Sequence, residues 1–243
     1  MRPLAARDLL QVWEWGEGRH PVDQALLLLS VAYPETAWED LVTLSVGRRD
    51  ALLLALWELT FGATLEGFAE CPACHEPVAF TVHAAGLRQS DPGDLPDAAT
   101  MLADGYEVRF RLPNSLDLAE VARCDDAEAA RELLIRRCVM QARQGETEIA
   151  AGSLPPRVIA ALAERMAEMD PLAEIMLDLH CPACDHRWSV ILDIVPFLWT
   201  KIAACVKRLL GEVDVLARAY GWREADILAL SARRRQMYLE MAA

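Results

Sequence analysis

Two copies of one tetrapeptide constrain this chain more than any other feature: Cys71-Pro72-Ala73-Cys74 and Cys181-Pro182-Ala183-Cys184. A Cys-x-x-Cys turn lets two thiolates reach one metal ion from the same side, and two such turns complete a closed tetrahedral set of sulfurs. The surroundings of the two copies also match. Val78, Phe80 and Val82 follow the first at alternate positions, and Trp188, Val190 and Leu192 follow the second at the same offsets. Period-two alternation predicts a strand with one buried face. Residues 65–69 and 175–179, ahead of the turns, suit strands as well. Each turn is therefore expected at the tip of a β-hairpin, and two tips sharing a metal make a zinc-ribbon-like pair. The turns of an ordinary ribbon lie about 15–20 residues apart. Here residues 75–180 intervene, so a subdomain must be inserted between the two halves.

The expected ligands are Cys71, Cys74, Cys181 and Cys184. Availability and the lack of any redox demand favour Zn²⁺ over iron, although spacing alone does not separate the two. Four thiolates leave no open position for water, so the role expected of the metal is structural. Two other uses of the cysteines compete. A redox-active Cys-Pro-x-Cys opens a helix in a βαβ unit, and neither copy here precedes a helical pattern. Disulfides belong to oxidising compartments. Cys124, Cys138 and Cys205 stand in helical patterns, where they are expected to pack as small apolar residues. Paired metal-type cysteines, lone buried ones and no signal peptide predict a cytoplasmic location.

Read in order, the chain predicts an α+β, mainly helical fold. An N-terminal helical part spans 1–62, with helices over 4–14, from Pro21, through Trp38–Val42 and over Asp50–Thr60, Gly47 breaking the pattern before the last. The first zinc hairpin follows at 63–84. The insert, 85–174, begins with a loop over 86–104 rich in Gly and Pro. Tyr106, Val108, Phe110 and Leu112 then alternate with charged residues as a half-buried strand. Helices follow, one started by Asp125 with Glu128 and running through Val139, another started near Pro156. The second hairpin takes 175–195. A C-terminal helical part, 196–243, holds a long amphipathic helix stopped by Gly221 and one final helix from Arg223 to Met241. All of this is expected to form one unit.

Charge and motif searches narrow the function. A net charge of −13 argues against nucleic acid, whose binders rely on a basic face. The dense basic cluster Arg233-Arg234-Arg235 stands instead on an amphipathic helix, as a solvated face or a contact for acidic groups of a protein partner. The longest apolar run, 51–57, is too short to span a bilayer. No glycine-rich phosphate loop and no Gly-x-Ser-x-Gly elbow occurs, so no enzyme class and no small-molecule substrate is indicated. The five histidines all have structural explanations, and the seven tryptophans are expected mainly in the core.

Three stretches together resemble a known family. They are 49–62 leading into Cys71-Pro72-Ala73-Cys74, the strand Val108-Arg109-Phe110-Arg111-Leu112-Pro113, and the ending 227–239. In these the chain is similar to the T-even-type phage baseplate hub assembly chaperone family, whose relatives belong to contractile tails and contractile injection systems. The resemblance implies no catalytic residues. It implies a non-enzymatic assembly factor or structural component, with baseplate, hub or tail proteins as partners. The alternative is a zinc-ribbon adaptor acting in transcription or translation.

Overall fold

A computed structural model describes residues 1–88 and 95–242. Four helices open the chain: α1 (Ala6–Gly16), α2 (Pro21–Ala32), α3 (Trp38–Thr43) and α4 (Val46–Phe61). Pro21 occupies the first turn of α2, and the His20 ring Nδ1 accepts the Val22 N–H there. Ser45 caps α4 by accepting from Arg48 N–H, a contact worth about 1 kcal/mol. Gly47 does not break the helical pattern: it lies in the first turn of α4. Its missing side chain has another use, described below.

A hairpin follows, β1 (Thr64–Glu70) with β2 (Pro77–His83), paired antiparallel from Thr64↔His83 to Glu70↔Pro77. Its counterpart is β7 (Met176–His180) with β8 (Arg187–Ile191), paired from Met176↔Ile191 to His180↔Arg187. Between them the chain makes α5 (Ala84–Leu87), β3 (Ala99–Ala103), β4 (Tyr106–Phe110), α6 (Ser115–Val121), α7 (Ala127–Cys138), β5 (Val139–Gln144), β6 (Thr147–Glu148) and α8 (Pro156–Met169). It ends with α9 (Ile194–Tyr220), α10 (Glu224–Ala229) and α11 (Ala232–Ala242). The architecture is mainly helical α+β with small antiparallel sheets.

Among the described residues, two larger apolar cores organise these elements. The larger joins α1, α2, α4 and α9, and the bases of both hairpins enter it through Leu65, Leu177 and Leu192. Each fully buried Leu contributes about 1.5–3 kcal/mol relative to exposure, and Leu28, Leu29, Leu53, Leu54, Leu56 and Leu198 are all fully buried. The smaller core packs α8, through Val158 and Leu162, on Val108, Phe110, Val139 and Ala142 of a four-stranded sheet. That sheet has the order β3-β4-β5-β6.

The insert is richer in strand than the sequence suggests. β3 falls inside the stretch read as a loop, of which residues 89–94 lie outside the described residues. Its alternation is masked because Leu102 points outward, 81% exposed. β5 follows a helix that was expected to run through Val139 and lies in a stretch given no element: α7 stops at Cys138 and Val139 opens the strand. A register shift at Arg109/Phe110 breaks the alternation there too. The cap of α7 is Asp126, which accepts from Ala129 N–H, rather than Asp125.

The insert is tied to the helical core by polar contacts. Val46 N–H donates to Pro113 C=O at 3.0 Å. Gly47 N–H donates at 2.9 Å to Oδ2 of Asp170, a buried carboxylate just after α8. Asp170 thus serves the N-terminus of a helix far away in sequence, where unpaired N–H groups favour an anion. A β-carbon on Gly47 would lie 2.2 Å from Asp170 Oδ1, so glycine is what lets the carboxylate approach. Beside it, Arg49 Nε and Asp50 Oδ1 pair at 2.7 Å, both buried. Burial pushes the Asp50 carboxyl up to about 6 despite that partner.

The C-terminal segment is two helices rather than one. Leu230 is extended (φ −70, ψ 146), and Ser231 Oγ accepts from Arg234 N–H to begin α11. Ile227 and Leu228 of α10 are buried, whereas Met241 is 65% exposed. Among the tryptophans, Trp57 is buried, while Trp15 and Trp38 are each 50% exposed, so the expectation of core tryptophans fails at those two. Of the lone cysteines, Cys138 and Cys205 are buried as expected, and Cys124 is half-buried.

Candidate metal centre

The two tips have the same local construction. Cys71 N–H donates to Glu76 C=O at 3.0 Å and His75 N–H to Cys71 C=O at 2.9 Å; Cys181 N–H donates to His186 C=O at 2.9 Å and Asp185 N–H to Cys181 C=O at 2.9 Å. The residue after each second cysteine is left-handed, His75 at φ 62 and Asp185 at φ 61. His and Asp are among the non-glycine residues that tolerate that region. Such a tight turn aims both sulfurs of a tip, and the N–H groups behind them, to one side.

The tips face one another. Cys71 Sγ is 3.6 Å from Cys184 Sγ, and Cys74 Sγ is 3.6 Å from Cys181 Sγ. All four sulfurs lie within 4.8 Å of one another. A disulfide requires about 2.05 Å, so these are four separate thiols. Neither tip opens a helix, which removes the geometry of a redox dithiol. A tetrahedron of sulfurs around Zn²⁺ at about 2.3 Å has edges of about 3.8 Å, close to the two 3.6 Å separations and inside the 4.8 Å limit on the rest. Cys71 and Cys181 are buried against Val78, with Trp188 packed alongside. Cys74 and Cys184 are exposed.

The electrostatics of the bare thiols are uneven. Burial opposes a thiolate at Cys71, but N–H groups of Ala73 and Cys74 and the neighbouring thiols outweigh it and draw Cys71 down to about 7. At Cys74 the Glu76 N–H favours the thiolate, yet the sulfurs of Cys184, Cys181 and Cys71, together with burial, push it up to about 12. Cys184 also rises: the His186 N–H and Cys74 lower it, and burial with the remaining sulfurs outweighs them. A thiolate is thus favoured at Cys71 and opposed at Cys74 and Cys184.

The histidines take no part in this set. His75 Nδ1 lies 2.5 Å from Glu70, and His180 Nε2 lies 2.5 Å from Asp185, both at the surface. His186 stacks on Trp188. The arginine cluster also divides. Arg233 and Arg234 are exposed. Arg235 is 5% exposed, its Nε 2.8 Å from Glu212 Oε2 of α9 and its Nη1 donating to Leu230 C=O at 2.6 Å. The expectation of three exposed arginines is therefore corrected at Arg235, which the helix break turns inward to cap the end of α10.

A second polar cluster escaped sequence reasoning. Asp117 is buried and accepts from Arg111 Nη1 and Nη2 at 2.5 and 2.8 Å, from Arg137 Nε at 2.6 Å and from Asn114 N–H at 3.0 Å. Burial raises its carboxyl, but these donors outweigh that and hold it below the usual range. Asn114 and Asp117 form a capping box on α6, a pattern legible as Asn-x-x-Asp. The two arginines that close the cluster come from β4–α6 and α7, so nothing local announces them.

Among the described residues, no helix is long and apolar enough to cross a membrane. Compared with known proteins, the chain matches no curated protein and no solved structure. A family model described as T4 bacteriophage base plate protein matches residues 8–199. That span includes both cysteine turns and the whole insert, and it ends in the second turn of α9. With most of its length matched in this way, the chain belongs to the T4 bacteriophage base plate protein family.

Proposed function

We propose that this chain is a non-enzymatic, zinc-stabilised structural component or assembly factor of the baseplate of a contractile tail or contractile injection system. The family match over residues 8–199 carries this reading. The zinc would be held by Cys71, Cys74, Cys181 and Cys184, and its chemistry there is that of a cross-link with no open coordination position. It ties two hairpins whose bases are rooted in the same helical core, so it fixes the position of the hairpin pair relative to the surfaces beside it. The partners are other baseplate, hub or tail proteins. Arg233 and Arg234 offer one contact: an exposed, planar, bidentate pair suited to carboxylates of such a protein.

The test is genetic and structural together. Deleting the gene from a cluster that makes contractile particles should abolish complete baseplates, and restoring it should recover them. Mass spectrometry of purified wild-type particles then separates the two forms of the role. A fixed number of copies per particle marks a component, and absence from finished particles marks an assembly factor. Normal particles from the deletion strain would overturn the reading.

A further inference from the structure

An apolar groove of ≈ 820 Å³ opens between the two hairpins and the first turns of α9. Its floor is aromatic: Phe61 and Phe197 pack on Trp57, the Trp57 and Phe197 rings 5.2 Å apart, and Phe80 packs on Phe197. Gly67 of β1 permits this, because a β-carbon there would lie 2.6 Å from Phe80 and 2.9 Å from Phe197. At the margins Phe68 is 78% exposed and Ile191 62% exposed. Both stand at outward-facing positions of their strands.

The backbone says what shape of ligand the groove suits. Each hairpin is two-stranded, so among the described residues β1 keeps one edge without a strand partner. Cys71 N–H bonds to Glu76 C=O and Ala84 N–H to Ala63 C=O, which sets the phase of the ladder. Leu65, Gly67 and Ala69 therefore bond across to β2, and the N–H and C=O groups of Glu66 and Phe68 turn to the free edge. Thr64, in the same phase, shows the edge in use: its C=O accepts the Trp57 indole N–H at 3.1 Å. The next two outward residues, Glu66 and Phe68, line the groove. A free ladder beside an apolar trough is the arrangement that β-strand addition uses, main chain for affinity and alternate side chains for fit.

Charge narrows the occupant further. The groove is lined by Glu66 and Asp193 against Lys201, and residues 63–84 add Glu70 and Glu76 with no lysine or arginine, in a chain of net charge −13. We propose that the groove receives an extended segment of another baseplate protein as an added strand on β1, apolar at alternate positions and flanked by lysine or arginine. This rests on the reading that the chain holds baseplate proteins, and it names the surface and the chemistry of one such contact.

A fluorescent peptide, Lys-Lys-Val-Thr-Val-Thr-Val-Lys-Lys, titrated into the intact, zinc-loaded chain, tests it. A second peptide of the same sequence, N-methylated at every one of its five central residues, keeps charge and apolarity but offers no central N–H on either edge, so it cannot form the ladder. Binding should saturate below about 1 mM and weaken at least tenfold on N-methylation, a factor equivalent to about 1.4 kcal/mol. Glu66→Pro removes an N–H that faces outward and no bond to β2, so it too should weaken binding at least tenfold. In the unsubstituted chain the peptide should slow hydrogen exchange at Glu66 and Phe68, which needs no variant to fold. No saturation, equal binding of the methylated peptide, or unchanged exchange at those two amides overturns the inference. Such a failure leaves the particle-assembly requirement of the deletion strain untouched, so the two readings fall separately.

Discussion

Replacing Gly47 by alanine should destabilise this protein, although the same change in a helix normally helps. Glycine inside a helix costs about 0.5–1 kcal/mol relative to alanine. At position 47 the new β-carbon would lie 2.2 Å from Asp170 Oδ1 and 2.7 Å from the backbone N of Ala173. If Asp170 moves away, the 2.9 Å bond from Gly47 N–H to a buried carboxylate is lost, and hydrogen bonds to charged groups contribute about 1.5–3 kcal/mol. If the turn after α8 moves instead, overpacking costs about 1–3 kcal/mol. Either route, less the helix-propensity gain, leaves a net loss of about 0.5–2.5 kcal/mol. For a chain of this size that corresponds to a fall in Tm of roughly 1–10 °C. Gly211 of α9 is the control: nothing lies within 4 Å of its β-carbon position, and it is exposed. Gly211→Ala should gain about 0.5–1 kcal/mol. Thermal melts of both variants with zinc present make the comparison. A Gly47→Ala protein that melts at or above the parent would refute the account of how the insert is anchored.

Other outcomes follow from the same contacts. Asp117→Asn removes the anion between Arg111 and Arg137 and should cost about 3 kcal/mol, the low end for a broken buried pair because both arginines keep some solvent. The Asp117 carboxyl is held below its ordinary value of 3.8. Its contribution is therefore complete above the unfolded pKa and is lost as pH falls through the folded one, so acid melting curves of parent and variant should converge. Arg233→Glu with Arg234→Glu should leave the unfolding free energy within about 0.5 kcal/mol of the parent, as exposed substitutions do, while reducing particle yield in the producing strain. Full yield from the folded double variant would remove those arginines from the docking surface. Arg235→Ala should cost about 2–3 kcal/mol, since it leaves Glu212 with the more distant Arg208, at 3.6 Å, and strands the Leu230 carbonyl.

How much of this was legible depended on whether a signal was local. Both hairpins were, because the doubled Cys-Pro-Ala-Cys and the alternation behind it are short-range patterns with one physical solution. The caps by His20-Pro21 and Gly221 were local too. β3 and β5 were hidden because a sheet reports its faces through partners. Leu102 points outward on an edge strand, and Val139 is opposite a register shift. The break at Leu230–Ser231 was hidden for a similar reason: Arg235 is drawn inward by Glu212 on another helix, against the tendency of arginine to stay in water. Asp117 and Asp170 show the same limit at the level of polar contacts. Each carboxylate is recognisable only once the arginines or the helix end that it serves have been brought to it.

Metal bound by the purified chain is the most direct test of the central claim, that four cysteines from two distant turns hold one zinc between the hairpins. Zinc can contribute roughly 10–16 kcal/mol in small peptides, so its loss should also be visible in stability. The account predicts one zinc per chain by elemental analysis, four sulfur neighbours at about 2.3 Å by X-ray absorption, and a lower Tm for Cys181→Ser and for chelator-treated protein. A chain that carries no zinc, or that melts unchanged after chelation with all four thiols titrating freely, would contradict it.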